Sequence, residues 1–368
     1  MTQTATTFIV ERTNLHAGKF VTAPLAMQPG GAILRVDRFA LTANNITYAA
    51  FGEAMKYWNF FAAPQDGFGV IPVWGFGTVV ASEAEGIAVG DRFYGYYPFG
   101  SHLAVEPTRI GANGFTDGAA HRAPMAPVYS QYVRTKTDPL YDEATEAEQL
   151  LLRPLFSTAF LIDDFLADAK FFGAQAVLLS SASSKTAYAT AYLLKKRGGA
   201  QIVGLTSKAN EAFVASLGCY DRVVTYDDLT ALPASLAIAY VDMAGNTQLR
   251  AAIHHHFGDS LKYDCAVGAT NWDADRIGAG EALPGARTQM FFAPTQSSKR
   301  IAEWGAKAFG EKLAAAWHDF LAAVRNPRAP WIDVVHGQGT AEAARLYADV
   351  LAGKTPPQDG IILSLSQS

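Results

Sequence analysis

Residues 176–208, AVLLSSASSKTAYATAYLLKKRGGAQIVGLTSK, limit what this chain can fold into more than any other stretch. An apolar run at 176–179 meets a loop of small residues at 180–184. An amphipathic helix is expected at 185–197, then the Gly198-Gly199 break, then a second apolar run at 201–205. A strand–loop–helix–strand unit of this kind holds a dinucleotide at its first turn. The second run ends in Thr206-Ser207-Lys208, where NAD-selective proteins usually carry an acid. Two hydroxyls and an ammonium there suit a 2′-phosphate, so the cofactor inferred is NADP(H).

The loop works through geometry and dipole. Small side chains let backbone amides approach a pyrophosphate, and the helix start behind them carries partial positive charge. Here Ser181-Ala182-Ser183-Ser184-Lys185-Thr186-Ala187 replaces the usual glycines. The hydroxyls of Ser183, Ser184 and Thr186 can themselves bond phosphate oxygens, and Lys185 adds a full charge. A serine-capped helix after a buried strand would look similar with no ligand. So would a polar turn in which Ser207 caps the next helix. The two features together, at this separation, favour a nucleotide site over either bland reading.

The rest of the chain alternates in a way that fits. Strand-like runs at 222–225, 237–241 and 263–267 continue the series, with helices at 209–217 and 247–257 between them. This predicts an α/β domain with a doubly wound parallel sheet covered on both faces. The first third is instead β-rich, with strands expected at 33–41, 70–81 and 91–97 and a turn-rich link at 83–90. Residues 143–172 read as helical, 299–324 as one long amphipathic helix, 331–335 as a strand, 340–351 as a helix and 361–365 as a last strand. A chain of 368 residues is too long for one ordinary core. The expected division is 1–145 with 295–368, a discontinuous domain, around 146–294.

Composition excludes several classes. A formal charge of -4 and a pI of about 6.1 give no reason to expect nucleic acid or an anionic membrane. The basic run Lys195-Lys196-Arg197 falls at a helix end, where the dipole favours cations. Cys219 and Cys265 are the only cysteines, too few for a disulfide framework or a cysteine-rich zinc site, and they suit a cytoplasmic protein. No basic segment followed by an apolar core opens the chain, and no apolar run nears the ~20 residues that span a bilayer. His254-His255-His256 does not read as a metal site, because neighbours on a helix point about 100° apart. His336 precedes a turn and reads as structural. No metal is expected.

Several motifs carry a resemblance. Leu217-Gly218-Cys219-Tyr220-Asp221-Arg222-Val223-Val224 is similar to an L-G-A-D-x-V-I stretch leading into a third strand. Val241-Asp242-Met243-Ala244-Gly245-Asn246 is similar to a D-x-x-G turn, and Ala88-Val89-Gly90-Asp91-Arg92-Phe93 to K-x-G-D-R-V. In order and spacing the chain resembles the medium-chain dehydrogenase/reductase superfamily, in its zinc-free, quinone-oxidoreductase-like branch. The stretches 44–48, 52–58 and 291–294 resemble, more narrowly, a bacterial subgroup of unassigned function. The resemblance implies a split GroES-like catalytic domain around a Rossmann NADP(H)-binding domain, a small-molecule substrate and a homodimer. The sequence departs from the pattern at three points. The glycine loop is serine-rich, the zinc cysteine falls on or next to Asn44, and the acid that follows falls on Thr47.

Without metal, hydride transfer needs a dry pocket and a donor for a proton or an oxyanion. The resemblance puts 44–58 beside the nicotinamide. Tyr48 is the preferred proton donor with Tyr57 behind it, and Asn44 and Thr47 complete the set; as packing residues, both tyrosines would need no such role. It also implies cofactor contacts from Thr158, Asp242, Gly268, Thr270 and Phe292, although a helical threonine commonly bonds back to its own helix. The aromatic residues Tyr48, Tyr57, Trp58 and Phe60 predict an apolar substrate. The reading is an NADPH-dependent reductase of a carbonyl or activated alkene. The alternative is a non-redox NADP(H)-binding protein, a lyase or sensor. A triphosphatase reading of Ser184-Lys185-Thr186 fails because Leu179 and Ser184 occupy both glycine positions of that loop.

Overall fold

The computed structural model describes residues 3–267 and 283–365. It divides into two compact units, Met1–Leu151 with Asp333–Ser368, and Leu152–Ile332.

In the second unit the run Ala176–Leu179 forms an inner strand with every residue fully buried. Side chains on both faces must then be apolar, which is why this run does not alternate. The sheet order is Arg222–Thr225, Gln201–Thr206, Ala176–Leu179, Ile238–Asp242, Leu261–Ala266, Thr288–Met290. All five pairings are parallel. Counted along this unit the order is 3-2-1-4-5-6, so the winding reverses beside Ala176–Leu179 and opens a crevice at the strands' carboxyl ends. The helix Lys185–Arg197 starts where Ser184 Oγ accepts the Ala187 amide at 3.3 Å. It ends at Gly198, whose φ of +73° suits glycine. Its basic last turn is paired: Arg197 with Asp163 at 2.6 Å, Lys196 with Asp319 at 2.5 Å and Lys195 with Asp221 at 3.2 Å.

The first unit holds a nine-stranded mixed sheet and a three-stranded antiparallel one. One edge of the larger sheet is built by the last described strands. Asp359–Ser364 pairs antiparallel with Ala32–Leu41 and parallel with Asp333–Gln338, and the helix Gly339–Leu351 makes the crossover. Tyr347 of that helix lies 4.8 Å from the Phe8 ring, and Phe99 lies 4.9 Å from both Phe8 and Phe39. The Tyr347 hydroxyl donates to the Leu15 carbonyl at 2.8 Å.

The structure differs from the sequence expectations in several places. Residues 295–332 group with the second unit instead of the first. Arg300 pairs there with the Asp164 carboxylate at 2.6 Å, and Trp317 and Phe320 pack on Phe156 at 5.2 and 5.0 Å. The long helix expected at 299–324 is two, Ala293–Trp304 and Ala306–Val324. Gly305 separates them with φ +81°, and a Cβ there would meet nothing within 4 Å, so conformation alone calls for glycine. The helical stretch 143–172 is an α-helix only over Glu146–Asp168. Lys170, Phe171 and Phe172 then take left-handed φ of 49°, 53° and 55°, a conformation that costs roughly 1–2 kcal/mol per residue. The Phe172 ring stacks on Tyr263 at 3.8 Å, a contact that offsets part of that cost.

Candidate functional site

The nucleotide loop of the second unit is braced against its own sheet. The Ala182 amide donates to the Leu205 carbonyl at 3.0 Å, and the Tyr220 hydroxyl donates to the Ala182 carbonyl at 2.8 Å. Gly204 makes this approach possible, because a Cβ there would stand 2.8 Å from Tyr220 and 3.0 Å from Ala182. Ser181 takes φ +51° and its amide donates to the Tyr226 hydroxyl at 3.1 Å. Ser183 Oγ accepts from the Asn210 amide group at 3.1 Å. Ser184 caps the helix, and Lys185 and Thr186 open it; amides in a first helical turn lack intrahelical carbonyls and favour anions.

At the end of the neighbouring strand the three expected residues separate. Thr206 is buried and paired across the sheet with Thr225. Ser207 is half-buried and precedes the short turn Lys208–Asn210. Lys208 is exposed, and its ammonium meets Glu211 at 2.5 Å, a hydrogen bond that raises its pKa. The donor set of serine hydroxyls, a helix start and one exposed ammonium fits an anionic nucleotide.

Asp242 sits at the next strand end but faces its own turn. Its carboxylate accepts the Ser180 hydroxyl at 2.8 Å, the Ala244 and Gly245 amides at 3.0 Å each and Arg250 at 2.5 Å. It is fully buried, with its carboxylate taken up by these four donors. Thr158 bonds back to the Pro154 carbonyl at 3.4 Å. Phe292 is 59% exposed, while Phe291 packs on Phe165 at 5.5 Å. Gly268 and Thr270 lie outside the described residues.

In the first unit, residues 44–48 lie on the helix Ala43–Ala50. Asn45 is used up in starting it: its Oδ1 accepts the Thr42 amide at 2.7 Å and its Nδ2 donates to the Pro72 carbonyl at 2.9 Å. Asn44 and Tyr48, four apart, share a face. Asn44 Nδ2 donates to the Tyr48 oxygen at 2.7 Å, and Trp74 Nε1 donates to it at 3.4 Å. Thr47 points its hydroxyl back to the Ala43 carbonyl at 3.2 Å. The Tyr57 ring lies 4.6 Å from Tyr48, and the Tyr57 hydroxyl lies 3.5 Å from that of Tyr129. Tyr96, buried, packs on Tyr48, Trp74, Tyr129 and Phe60 at 4.9–5.7 Å. Buried Tyr48, Tyr96 and Phe60 thus form a floor, and half-buried Tyr57, Trp74 and Tyr129 form a rim.

Burial pushes the Tyr48 phenol well up, with the neighbouring Tyr57 adding to the shift and the Trp74 and Asn44 hydrogen bonds opposing it. Burial raises Tyr57 as well. Both phenols are therefore protonated at neutral pH and can act as donors. Among the described residues no group of three or more His, Cys, Asp or Glu could hold a metal ion.

Sequence reasoning missed Trp74, Tyr129, Asn210 and Tyr226. Trp74 was visible as an aromatic residue in the strand-like 70–81 run. Tyr226 follows the third strand of its sheet directly, but nothing local marks it as the partner of Ser181.

A family model described as "Protein of unknown function (DUF2855)" matches residues 39–356. No curated protein matches the chain. Among solved structures, the chain is similar to CurA from Vibrio vulnificus in complex with NADPH, with TM-score 0.61, 12% identity and 100% of both chains covered. The quinone oxidoreductase from Coxiella burnetii gives TM-score 0.56 at 12% identity, covering 99% of this chain and 100% of that one. The yhdH oxidoreductase from Salmonella enterica in complex with NADP gives TM-score 0.53 at 14% identity, covering 98% and 100%. The shared architecture is the two-domain medium-chain dehydrogenase/reductase fold with its Rossmann domain. No helix among the described residues is long and apolar enough to cross a membrane.

Proposed function

The chain belongs to the family described as "Protein of unknown function (DUF2855)", and on that premise we propose that it is an NADPH-dependent, zinc-independent oxidoreductase acting on a largely apolar carbonyl or activated alkene. The observation that carries the reading is the corner at the ends of two adjacent parallel strands. A hydroxyl-lined loop opens a helix there, and Lys208 stands exposed at the neighbouring strand end. CurA and the yhdH oxidoreductase, which share the fold, were crystallised with NADPH and NADP. Lys208 and Ser207 take the 2′-phosphate. Ser181, Ser183, Ser184, Lys185 and Thr186 take the pyrophosphate, with Tyr226 and Asn210 behind them. When bound, the reduced nicotinamide supplies the hydride.

Tyr48 supplies the proton. Its oxygen already accepts from Asn44 and Trp74, so its own O–H is the donor that remains for a substrate. The same two N–H groups stabilise the charge left on the oxygen once the proton has gone. Tyr57, Tyr129, Phe60 and Tyr96 supply an apolar seat for the substrate. The proposed assembly is a homodimer in the cytoplasm.

Calorimetric titration tests the first half. NADPH is expected to bind more tightly than NADH, and Lys208→Asp to abolish the difference. A protein that binds neither nucleotide overturns the reading.

A second reading, binding of NADP(H) without redox turnover in a lyase or sensor, draws on one observation. Thr47, where the superfamily pattern carries an acid, turns its hydroxyl to its own helix, and no carboxylate among the described residues takes its place on Tyr48. Tight NADPH binding with no loss of absorbance at 340 nm over a broad panel of enones and carbonyls favours this reading. Turnover of any enone excludes it.

A further inference from the structure

Four ionisable side chains lie buried together in the second unit, and the redox reading uses none of them. Asp242 and Asp264 are fully buried, His254 is 1% exposed and Arg250 is 8% exposed. Arg250 donates to Asp242 at 2.5 Å, and its Nε stands 3.9 Å from Asp264 Oδ2. His254 Nε2 lies 2.9 Å from Asp264 Oδ2, and His254 Nδ1 lies 2.8 Å from the Pro284 carbonyl oxygen.

The two partners of the ring decide its state. A carbonyl oxygen only accepts, so Nδ1 carries a hydrogen. An ionised carboxylate also only accepts, so Nε2 carries one too. A ring with both hydrogens is an imidazolium. The charge count agrees. Among the described residues, two carboxylates against Arg250 alone would leave one net negative charge in a dry interior, which is costly; His254 as a cation brings the sum to zero. Asp264 Oδ1 has no hydrogen-bond partner among the described residues, so Asp264 relies on His254 and on the Thr288 hydroxyl, both at Oδ2.

We propose that His254 is held as a buried imidazolium that completes a charge-neutral tetrad with Asp242, Arg250 and Asp264, and that loss of its proton frees the edge strand Thr288–Met290. The latch spans three segments. His254 is on the helix Thr247–Phe257, Asp264 on the strand Leu261–Ala266, and Pro284 and Thr288 on the chain that forms the edge strand. Among the described residues that edge strand pairs only with Leu261–Ala266, and the Phe291 amide extends the pairing to the Ala266 carbonyl at 2.9 Å. A neutral ring keeps one N–H and gives up either Pro284 or Asp264.

The described groups that face the ring are Asp264 and Arg250, with Asp242 and the Tyr240 hydroxyl beyond them; His256 turns away to the Leu232 carbonyl at 2.8 Å. Burial works against the charged ring, but the bonds to Asp264 and Pro284 outweigh it and its pKa is raised. The sign follows. A raised folded pKa contributes stability that is full below the unfolded imidazole pKa and is lost as pH rises through the folded one.

Nitrogen-15 NMR of histidine-labelled whole chain tests the state directly, with His254→Gln used for assignment. At pH 7.5 both ring nitrogens of His254 are expected to be protonated, when free imidazoles (pKa about 6.5) are mostly neutral. Asp264→Asn is expected to shift the His254 titration to lower pH. Hydrogen exchange of the 288–291 amides, corrected for intrinsic base catalysis, is expected to accelerate across the His254 titration. A singly protonated ring at pH 7.5, with the proton on Asp264 instead, overturns the proposal. So does a titration that Asp264→Asn leaves unmoved, or edge-strand protection indifferent to it. None of these readouts depends on nucleotide binding or turnover.

Discussion

Tyr48 differs from the other buried phenols of its cluster in having two N–H donors on its oxygen. Removing the phenol oxygen while keeping the ring is expected to leave the floor packed and to lower kcat by about 10²-fold or more, with little change in KM. Steady-state kinetics of Tyr48→Phe with NADPH and an enone checks this; an unchanged kcat assigns the proton to another source. At the nucleotide corner the expectation has the opposite sign. Glu211 holds the Lys208 ammonium and would repel a nearby phosphate, so Glu211→Gln is expected to tighten NADPH binding several-fold and leave NADH alone. Residue identity was legible wherever a side chain acts through its immediate neighbours, as Ser184 does in capping its helix. It was not legible for Asp242, whose four donors come from positions 180, 244, 245 and 250 and meet only once the sheet has formed.

At the scale of elements, periodicity and glycines located most of the second unit's strands within a residue or two, because fully buried parallel strands leave an unmistakable apolar run. Helix ends were harder. The break at Gly305 rests on a positive φ that an amphipathic pattern cannot reveal. Helix Ala43–Ala50 has a local start, a capping box between Thr42 and Asn45, but at eight residues it is too short for its periodicity to stand out in a β-rich stretch. Two substitutions test how elements carry the site. Gly204→Ala pushes a methyl into Tyr220 and Ala182, and is expected to weaken NADPH binding by displacing the loop, more than it lowers Tm. Asp242→Ala leaves Arg250 buried beside a missing partner and is expected to cost about 3–5 kcal/mol in urea denaturation.

For the whole molecule, the sequence conveyed two units of contrasting type and the return of the tail, but not the point of return. That point is set by the packing of Trp317 and Phe320 on Phe156, contacts between side chains more than 150 positions apart. The unit Leu152–Ile332 is continuous in sequence. Expressed alone, it is expected to fold cooperatively and to bind NADPH, as circular dichroism and calorimetry would record. A chain ending before Asp333 is expected to lose the first unit's protease resistance while keeping that of the second. The pairing of Asp359–Ser364 with Ala32–Leu41 also sets a timetable during synthesis. At translation rates of roughly 5–20 residues per second, the earlier of these partners waits on the order of tens of seconds for the later one to leave the ribosome. Throughout that interval it presents a bare backbone edge to solvent, a template for unwanted pairing that the finished sheet no longer exposes.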